Sequence, residues 1–218
     1  MVGLFISIEG PDGSGKSTVI KHISQRISEK YPHSVVMTRE PGGSEIAEKI
    51  RALLLDPANK KMDDRTEALL YAASRRQHIK EKILPALEAG KIVLTDRFVD
   101  SSVAYQGEGR GLGMDTVATL NEFATEGLEP DLTLYIDVHP EIGLARIAHK
   151  DSRREKDRLE LEANDFHHRV RAGYQKLLEE HADRMVYIDG ERDAQEVINE
   201  AWQYVEEKIK TSDLKERS

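Results

Sequence analysis

Between Gly10 and Ser17 the chain reads GPDGSGKS, which fits the spacing G-x-x-x-x-G-K-[ST]. Glycines at 10, 13 and 15 let a backbone curl with its N–H groups pointing inward, around a phosphate. Lys16 can then bridge the β- and γ-phosphates, and the Ser17 hydroxyl can ligate a Mg²⁺ that arrives with the nucleotide. The residues expected to hold a nucleoside triphosphate are therefore Gly10, Pro11, Asp12, Gly13, Ser14, Gly15, Lys16, Ser17 and Thr18, with Thr18 serving the following helix more than as a second ligand. Asp12 has two readings. A carboxylate beside a triphosphate is repelled unless a metal or an arginine stands between them. Alternatively its side chain closes a local Asx turn.

A second chemical cluster is TDRFVDSSVAYQGEGRG, Thr95 to Gly111. It follows the apolar run KIVLT and sets Asp96 and Arg97 side by side, then crowds two serines, a tyrosine, a glutamine and another arginine together. It is either an ordinary polar loop or the place where a substrate is held. A triphosphate-binding loop does not by itself say what is done with the nucleotide. A GTP switch should carry a guanine-reading N/T-K-x-D motif on a late strand, and the late runs here end in YIDV and YIDG instead. An ATPase motor or partitioning protein and a small-molecule kinase remain. A kinase of a phosphorylated acceptor needs arginines around a second anionic pocket. Arg39, Arg75, Arg76, Arg97 and Arg110 are candidates, with Arg153, Arg154 and Arg158 in the charged stretch HKDSRREKDRLE. Any one of these could be a surface ion pair, but Arg39 and Arg97 follow the carboxyl ends of expected strands, where such sheets bind ligands.

The elements that must position these residues are legible as short apolar runs. They are Leu4–Glu9, Ser34–Thr38, Lys91–Thr95, Leu132–Val138 and a weaker Met185–Asp189. All are continuous rather than alternating, which suits strands buried on both faces of a parallel sheet. Helical patterns lie between them at Lys16–Lys30, Arg65–Ala89, Met114–Glu126, Pro140–His149, Leu161–His181 and Ala194–Lys210, with Pro85 expected to kink or end the second. The expected fold class is α/β: an open doubly wound five-stranded parallel sheet with flanking helices, P-loop NTPase-like, with a lid segment at about 149–160. One domain is expected over 1–210, followed by a polar tail over 211–218.

Composition narrows the classes further. The 218 residues include no cysteine, which excludes disulfides, thiolate metal sites and a cysteine nucleophile. A net charge of −8 argues against nucleic-acid or acidic-membrane binding, though not against a phosphorylated small molecule in an arginine-lined cleft. No apolar run reaches the roughly 18 residues of a membrane span, and the first residues do not form a secretion signal, so a cytoplasmic location is expected.

The segments FISIEGPDGSGKST, TREPGGSEIAEKIR, LLYAASRRQH, TDRFVDSSVAYQGEGRG, GLEPDLTLYIDV and DRLELEANDFHHRVRAGY together resemble bacterial thymidylate kinases, in order, from about residue 3 to about residue 190. The REPGG turn and the SSxAYQG segment are the most specific of these. The resemblance implies phosphoryl transfer from ATP to dTMP with Mg²⁺, a mobile lid and a homodimer. It implies that Lys16 and Ser17 hold the ATP phosphates and metal, and that Asp12 is a functional acid between the two phosphate sites. Tyr71 takes the position that stacks on thymine, usually Phe, and Arg75 that of the arginine on the thymine edge. Arg97, with Arg39 nearby, matches the clamp on the acceptor phosphate. Ser102, Tyr105 and Gln106 match residues lining the dTMP pocket, and Tyr105 is placed to sense the deoxyribose.

The acceptor is already a phosphate dianion, so no strong general base is required. His22, His78, His167 and His168 accordingly read as helix-face residues. The loop between the first glycines carries no arginine, so a catalytic cation must come from elsewhere, and Arg153, Arg154 or Arg158 in the lid is expected to supply it. Asp96 is expected either to orient the Mg²⁺ shell or to pair with Arg97. The family's Asp-Arg-Tyr triplet is Asp96-Arg97-Phe98 here, so one hydroxyl contact is missing.

Overall fold

In the computed structural model the residues described are 3–32, 34–150 and 157–212, with the side chain of residue 150 left aside. Five strands form one parallel sheet: β1 (Leu4–Glu9), β2 (Val35–Arg39), β3 (Ile92–Asp96), β4 (Leu132–Asp137) and β5 (Met185–Asp189), in the order β2-β3-β1-β4-β5. The expected five-stranded, doubly wound α/β architecture is what the chain adopts. All six residues of β1 and of β4 are buried, which is why these segments are apolar without alternation. The register matters for chemistry. Ile8 pairs with Asp96 across β1–β3 and Arg39 pairs with Asp96 across β2–β3. The carboxyl ends of three strands therefore finish level, with Glu9, Arg39 and Asp96 at one edge.

Helices cover both faces. They are α1 (Lys16–Lys30), α2 (Glu45–Leu55), α3 (Asp64–His78), α4 (Leu84–Glu88), α5 (Val99–Ser102), α6 (Met114–Thr125), α7 (Pro140–Lys150), α8 (Asn164–Glu180) and α9 (Ala194–Thr211). Helix α1 buries Val19, Ile20, Ile23 and Ile27, spaced to fall on one face, against Ile6, Ile8 and Leu134 of the sheet and Val205 of α9. Each such aliphatic side chain contributes about 1.5–3 kcal/mol on burial. On the other face Phe5, Val93 and Phe98 pack with Ile79 and Ile83.

Three segments differ from the sequence reading. The expected helix over Arg65–Ala89 is α3 and α4 joined by a π-helical turn, Ile79–Ile83, in which the Leu84 N–H donates to the Ile79 carbonyl. Pro85 has no N–H to give, and the widened turn before it lets the helical path continue. Helix α2, which the sequence reading did not assign, has an amphipathic apolar pattern but buries only Ala47 and Leu54 fully. The polar segment after β3 is not a loop. It coils as α5 and then a π-helix, Val103–Gly109, that is almost wholly buried.

The helix over Pro140–His149 is found as α7, one residue longer. Residues 151–156, half of the expected lid, and 213–218, most of the expected tail, lie outside the described residues. Among the described residues no helix is long and apolar enough to cross a membrane.

Candidate active site

The turn from β1 into α1 is built from backbone. Gly10, Gly13 and Gly15 all have positive φ, 142°, 77° and 96°. At Gly13 a Cβ would lie 2.1 Å from the Gly143 carbonyl oxygen of α7, so both conformation and space demand glycine. Helix α1 has no acidic residue in its first turn, which leaves its electropositive end open to an anion. Lys16 Nζ donates to the carbonyls of Gly10 (3.0 Å) and Pro11 (2.8 Å), so the cation lies along the loop. Burial, reinforced by the nearby Arg97 charge, pulls the Lys16 ammonium down to about 8. The Ser17 hydroxyl donates to Asp96 Oδ2 at 3.1 Å, bringing the two expected metal ligands together.

Arg97 stands at the centre. Its backbone is left-handed, φ 73°, a conformation that costs a non-glycine residue about 1–2 kcal/mol. Strand β1 holds it there: the Arg97 N–H donates to the Ile8 carbonyl (3.0 Å) and the Phe98 N–H to Glu9 Oε1 (2.6 Å). The guanidinium donates to Asp12 Oδ1 (2.6 Å), Tyr105 Oη (3.0 Å), Ser101 Oγ (3.0 Å) and Tyr174 Oη (3.2 Å), and lies 4.8 Å from the centre of the Tyr105 ring. The Tyr105 hydroxyl donates to the other Asp12 oxygen at 2.9 Å. Asp12 is thus tied to an interposed arginine rather than to a local turn. Burial would raise its carboxyl, but the Arg97 and Lys16 charges outweigh that and lower it.

The pocket wall beyond Arg97 is also made of side chains. All five N–H groups of buried Arg75 are engaged. Nε donates to Glu40 (2.7 Å), and the terminal nitrogens donate to Ser102, Asn121 and the Phe98 carbonyl. Glu40 also meets His78 (2.9 Å), whose far nitrogen meets Thr38 (2.7 Å). Gln106 donates to Glu67 at 2.8 Å. Phe98 sits in the core with its ring edge-on to Phe5, 4.9 Å between centroids, and Arg75 lies 5.4 Å over it.

These parts face one cleft of about 850 Å³. Asp12 to Thr18 line it, as do Arg39, Tyr71, Arg75, Ser102, Tyr105 and Gln106, with Asp96 and Arg97 also in the wall. Gly10 and Pro11 contribute the carbonyls that hold Lys16. Arg39 is half exposed and takes both oxygens of Glu48 (2.9 and 3.0 Å).

Arg158 departs from the expected free lid cation. Its neighbours Asp157, Leu159 and Glu160 line the cleft, but Arg158 is buried, donating to the Leu54 carbonyl (3.0 Å) and to Glu67. Glu67 also takes Arg110 (3.0 Å), and burial, which would raise its carboxyl, is overcome by these partners. Arg153 and Arg154 lie outside the described residues. Of the histidines, His22 and His168 are helix-face residues, whereas His78 and His167 are buried.

Sequence reasoning missed Glu9, Glu40, Arg51, Glu67, Ser101 and Tyr174. Arg51 lines the cleft and donates to the Pro41 carbonyl at 2.7 Å, and the REPGG turn before it was its only local signal. The others are buried polar side chains with partners far along the chain, and of these only Glu9, at the end of the apolar run LFISIE, carries a local signal.

Comparison with known proteins agrees with this geometry. The thymidylate kinase family model matches residues 8–201. The chain is 53% identical over 208 residues to a thymidylate kinase of Enterococcus faecalis, covering 95% of this chain and 98% of that one. It is 54% identical over 198 residues to one of Geobacillus sp., covering 91% and 93%. Among solved structures, a thymidylate kinase from Ehrlichia chaffeensis superposes with a TM-score of 0.76 at 32% identity, covering 94% of this chain and 99% of that one. The chain belongs to the thymidylate kinase family.

Proposed function

We propose that the protein transfers the γ-phosphoryl group of ATP to dTMP, giving ADP and dTDP, as a single catalytic domain over about residues 1–210. The observation that carries this reading is Arg97, which touches Asp12 of the phosphate-binding loop and Tyr105 of the pocket wall at once. It stands where a donor γ-phosphate and an acceptor phosphate would meet. Transfer between two phosphates needs little covalent work from the protein; it needs alignment, charge neutralisation and exclusion of water. Loop N–H groups, Lys16 and the α1 terminus hold the donor. Arg97, with Arg39 beside it, holds the acceptor phosphate, and Asp12 sets the angle of Arg97. Tyr71 offers its ring to the base, Arg75 with Ser102 and Gln106 supports the base edge, and Tyr105 closes against the sugar.

Ser17 and Asp96 suit Mg²⁺: they are hard oxygen donors 3.1 Å apart, and Mg²⁺ commonly takes one or two protein oxygens and completes its shell with phosphates and water. When bound, the ion neutralises phosphate charge. The catalytic cation is supplied by Arg153 or Arg154, and Arg158 is held by Glu67. The enzyme works as a homodimer in the cytoplasm. Exposed Ile46 and Leu53 of α2, Leu69 of α3 and Phe123 of α6 supply apolar surface on three helices packed side by side, and Phe123 is 88% exposed.

ATP turnover measured with and without dTMP tests this. ADP should form in equal amount with dTDP and only slowly without dTMP. ADP release that ignores dTMP would mean a nucleotide-driven switch instead.

A further inference from the structure

Glu9 has a place in the site that neither the loop motif nor the pocket residues account for. It is the last residue of β1, fully buried, and carries the strand's one carboxylate. Oε1 accepts the Phe98 N–H. Oε2 accepts the hydroxyls of Ser101 (2.5 Å) and Tyr174 (3.0 Å), which stand 2.8 Å from each other. Those two hydroxyls are the ones that receive the Arg97 guanidinium. From this geometry we infer that Glu9 is a positioning residue for Arg97: it takes up the protons of Ser101 and Tyr174, so that both hydroxyls turn lone pairs toward the guanidinium.

A hydroxyl has one proton to give. With the protons directed to Oε2 or passed between the two hydroxyls, none is left to point at Arg97. If Glu9 carries a proton, or is an amide, Oε2 no longer accepts both. One hydroxyl is then left without its acceptor and can turn its proton toward the guanidinium, which has no lone pair to receive it, so Arg97 loses part of its seat. The inference rests on the reading of Arg97 as the acceptor-phosphate clamp.

The charged environment bears on when this happens. Asp100 of α5 faces Glu9, as do Arg97, Lys16 of α1, Tyr174 of α8 and, beyond Asp100, Arg184. Burial, then the Asp100 charge, push the Glu9 carboxyl up to about 7, against opposing contributions from Ser101, Arg97 and the Phe98 N–H. The carboxylate that seats Arg97 is therefore complete above neutrality and fades below it.

The test is kcat/KM for dTMP of wild type and Glu9→Gln across pH, with ATP saturating. The wild-type to variant ratio cancels the titration of dTMP itself. It should be near twofold at about pH 6 and rise to about tenfold at about pH 8, a tenfold change being roughly 1.4 kcal/mol. A ratio that does not change with pH overturns the inference. Should Glu9→Gln fail to fold, Tyr174→Phe keeps the ring and removes one hydroxyl. It should lower kcat/KM for dTMP by about three- to tenfold and leave the ATP KM within about twofold. Unchanged dTMP kinetics, or equal loss for both substrates, overturns the inference. Arg97→Ala separates the two levels. If it leaves dTMP kinetics intact, the reading of the acceptor site fails. If it alone is crippled while Glu9→Gln and Tyr174→Phe are normal, only the role of Glu9 fails.

Discussion

On the proposed reading the cleft has a donor end and an acceptor end, and the two are built from different materials. The donor end is backbone: three left-handed or extended-positive glycines, a helix terminus and a lysine laid along its own loop. The acceptor end is side chains, and its arginines are held by carboxylates: Arg75 on the buried Glu40 and Arg97 on the partly buried Asp12. Removing one partner of such a buried pair leaves an uncompensated charge, which costs far more than losing an exposed one. Arg39, exposed on Glu48, is the contrasting case. On the proposed reading, the difference teaches that donor binding is set by chain conformation, while acceptor choice is set by a hydrogen-bonded network that holds Arg75 and Arg97 before a ligand arrives.

The largest expected break is at the seam. Arg97→Ala should lower kcat/KM for dTMP by about 10²–10³-fold, roughly 2.7–4 kcal/mol, while the ATP dissociation constant moves little; stopped-flow or steady-state kinetics reads this. Gly13→Ala attacks the donor end alone. Its Cβ meets the Gly143 backbone, so the loop must shift. ATP affinity should fall by more than about tenfold and thermal stability by about 1–3 kcal/mol, with dTMP affinity in calorimetry nearly retained. Equal loss of both ligands would erase the distinction between the two ends.

Arg75→Lys does the reverse. Three donors on a flexible stem cannot replace five in a fixed fork, so Ser102, Asn121 and the Phe98 carbonyl lose partners. The dTMP KM should rise by about tenfold, with the ATP KM unchanged. The smallest expected effect is in pH. The Lys16 ammonium, held down to about 8 mainly by burial, loses its charge as pH rises through that value. The kcat/KM for ATP should therefore decline above about pH 8, and saturating nucleotide, by adding negative charge beside Lys16, should move the decline upward.

The same contrast governs what the sequence could disclose. A conformation that only glycine tolerates leaves glycines at fixed spacing, so the donor end is readable within eight consecutive residues, Gly10 to Ser17. The partners of the acceptor end lie far apart in the chain. Glu40 and Arg75 are 35 residues apart, Asp12 and Arg97 85, Arg97 and Tyr174 77, and Glu67 and Arg158 91. No local pattern announces such pairs, and Arg158 shows the consequence: in a basic cluster it reads as a free cation, and in the fold it is a buried anchor. The central strands β1, β3 and β4 were legible because strands buried on both faces are largely apolar, while the half-exposed edge strands β2 and β5 were read from their β-branched runs. The π-helical turns at 79–83 and 103–109 were not, since a helix with one extra residue in a turn keeps no regular period. Phe98 is also explained by packing: its ring fills the core against Phe5, where a hydroxyl is not required for the contact seen.

Coupled-assay turnover across dTMP, dUMP, AMP, GMP and CMP tests the central claim most directly. The account predicts that dTMP gives the highest kcat/KM by at least about tenfold over any purine or cytidine acceptor, a difference of roughly 1.4 kcal/mol or more at the side-chain end of the cleft. Preference for any acceptor other than dTMP would contradict it.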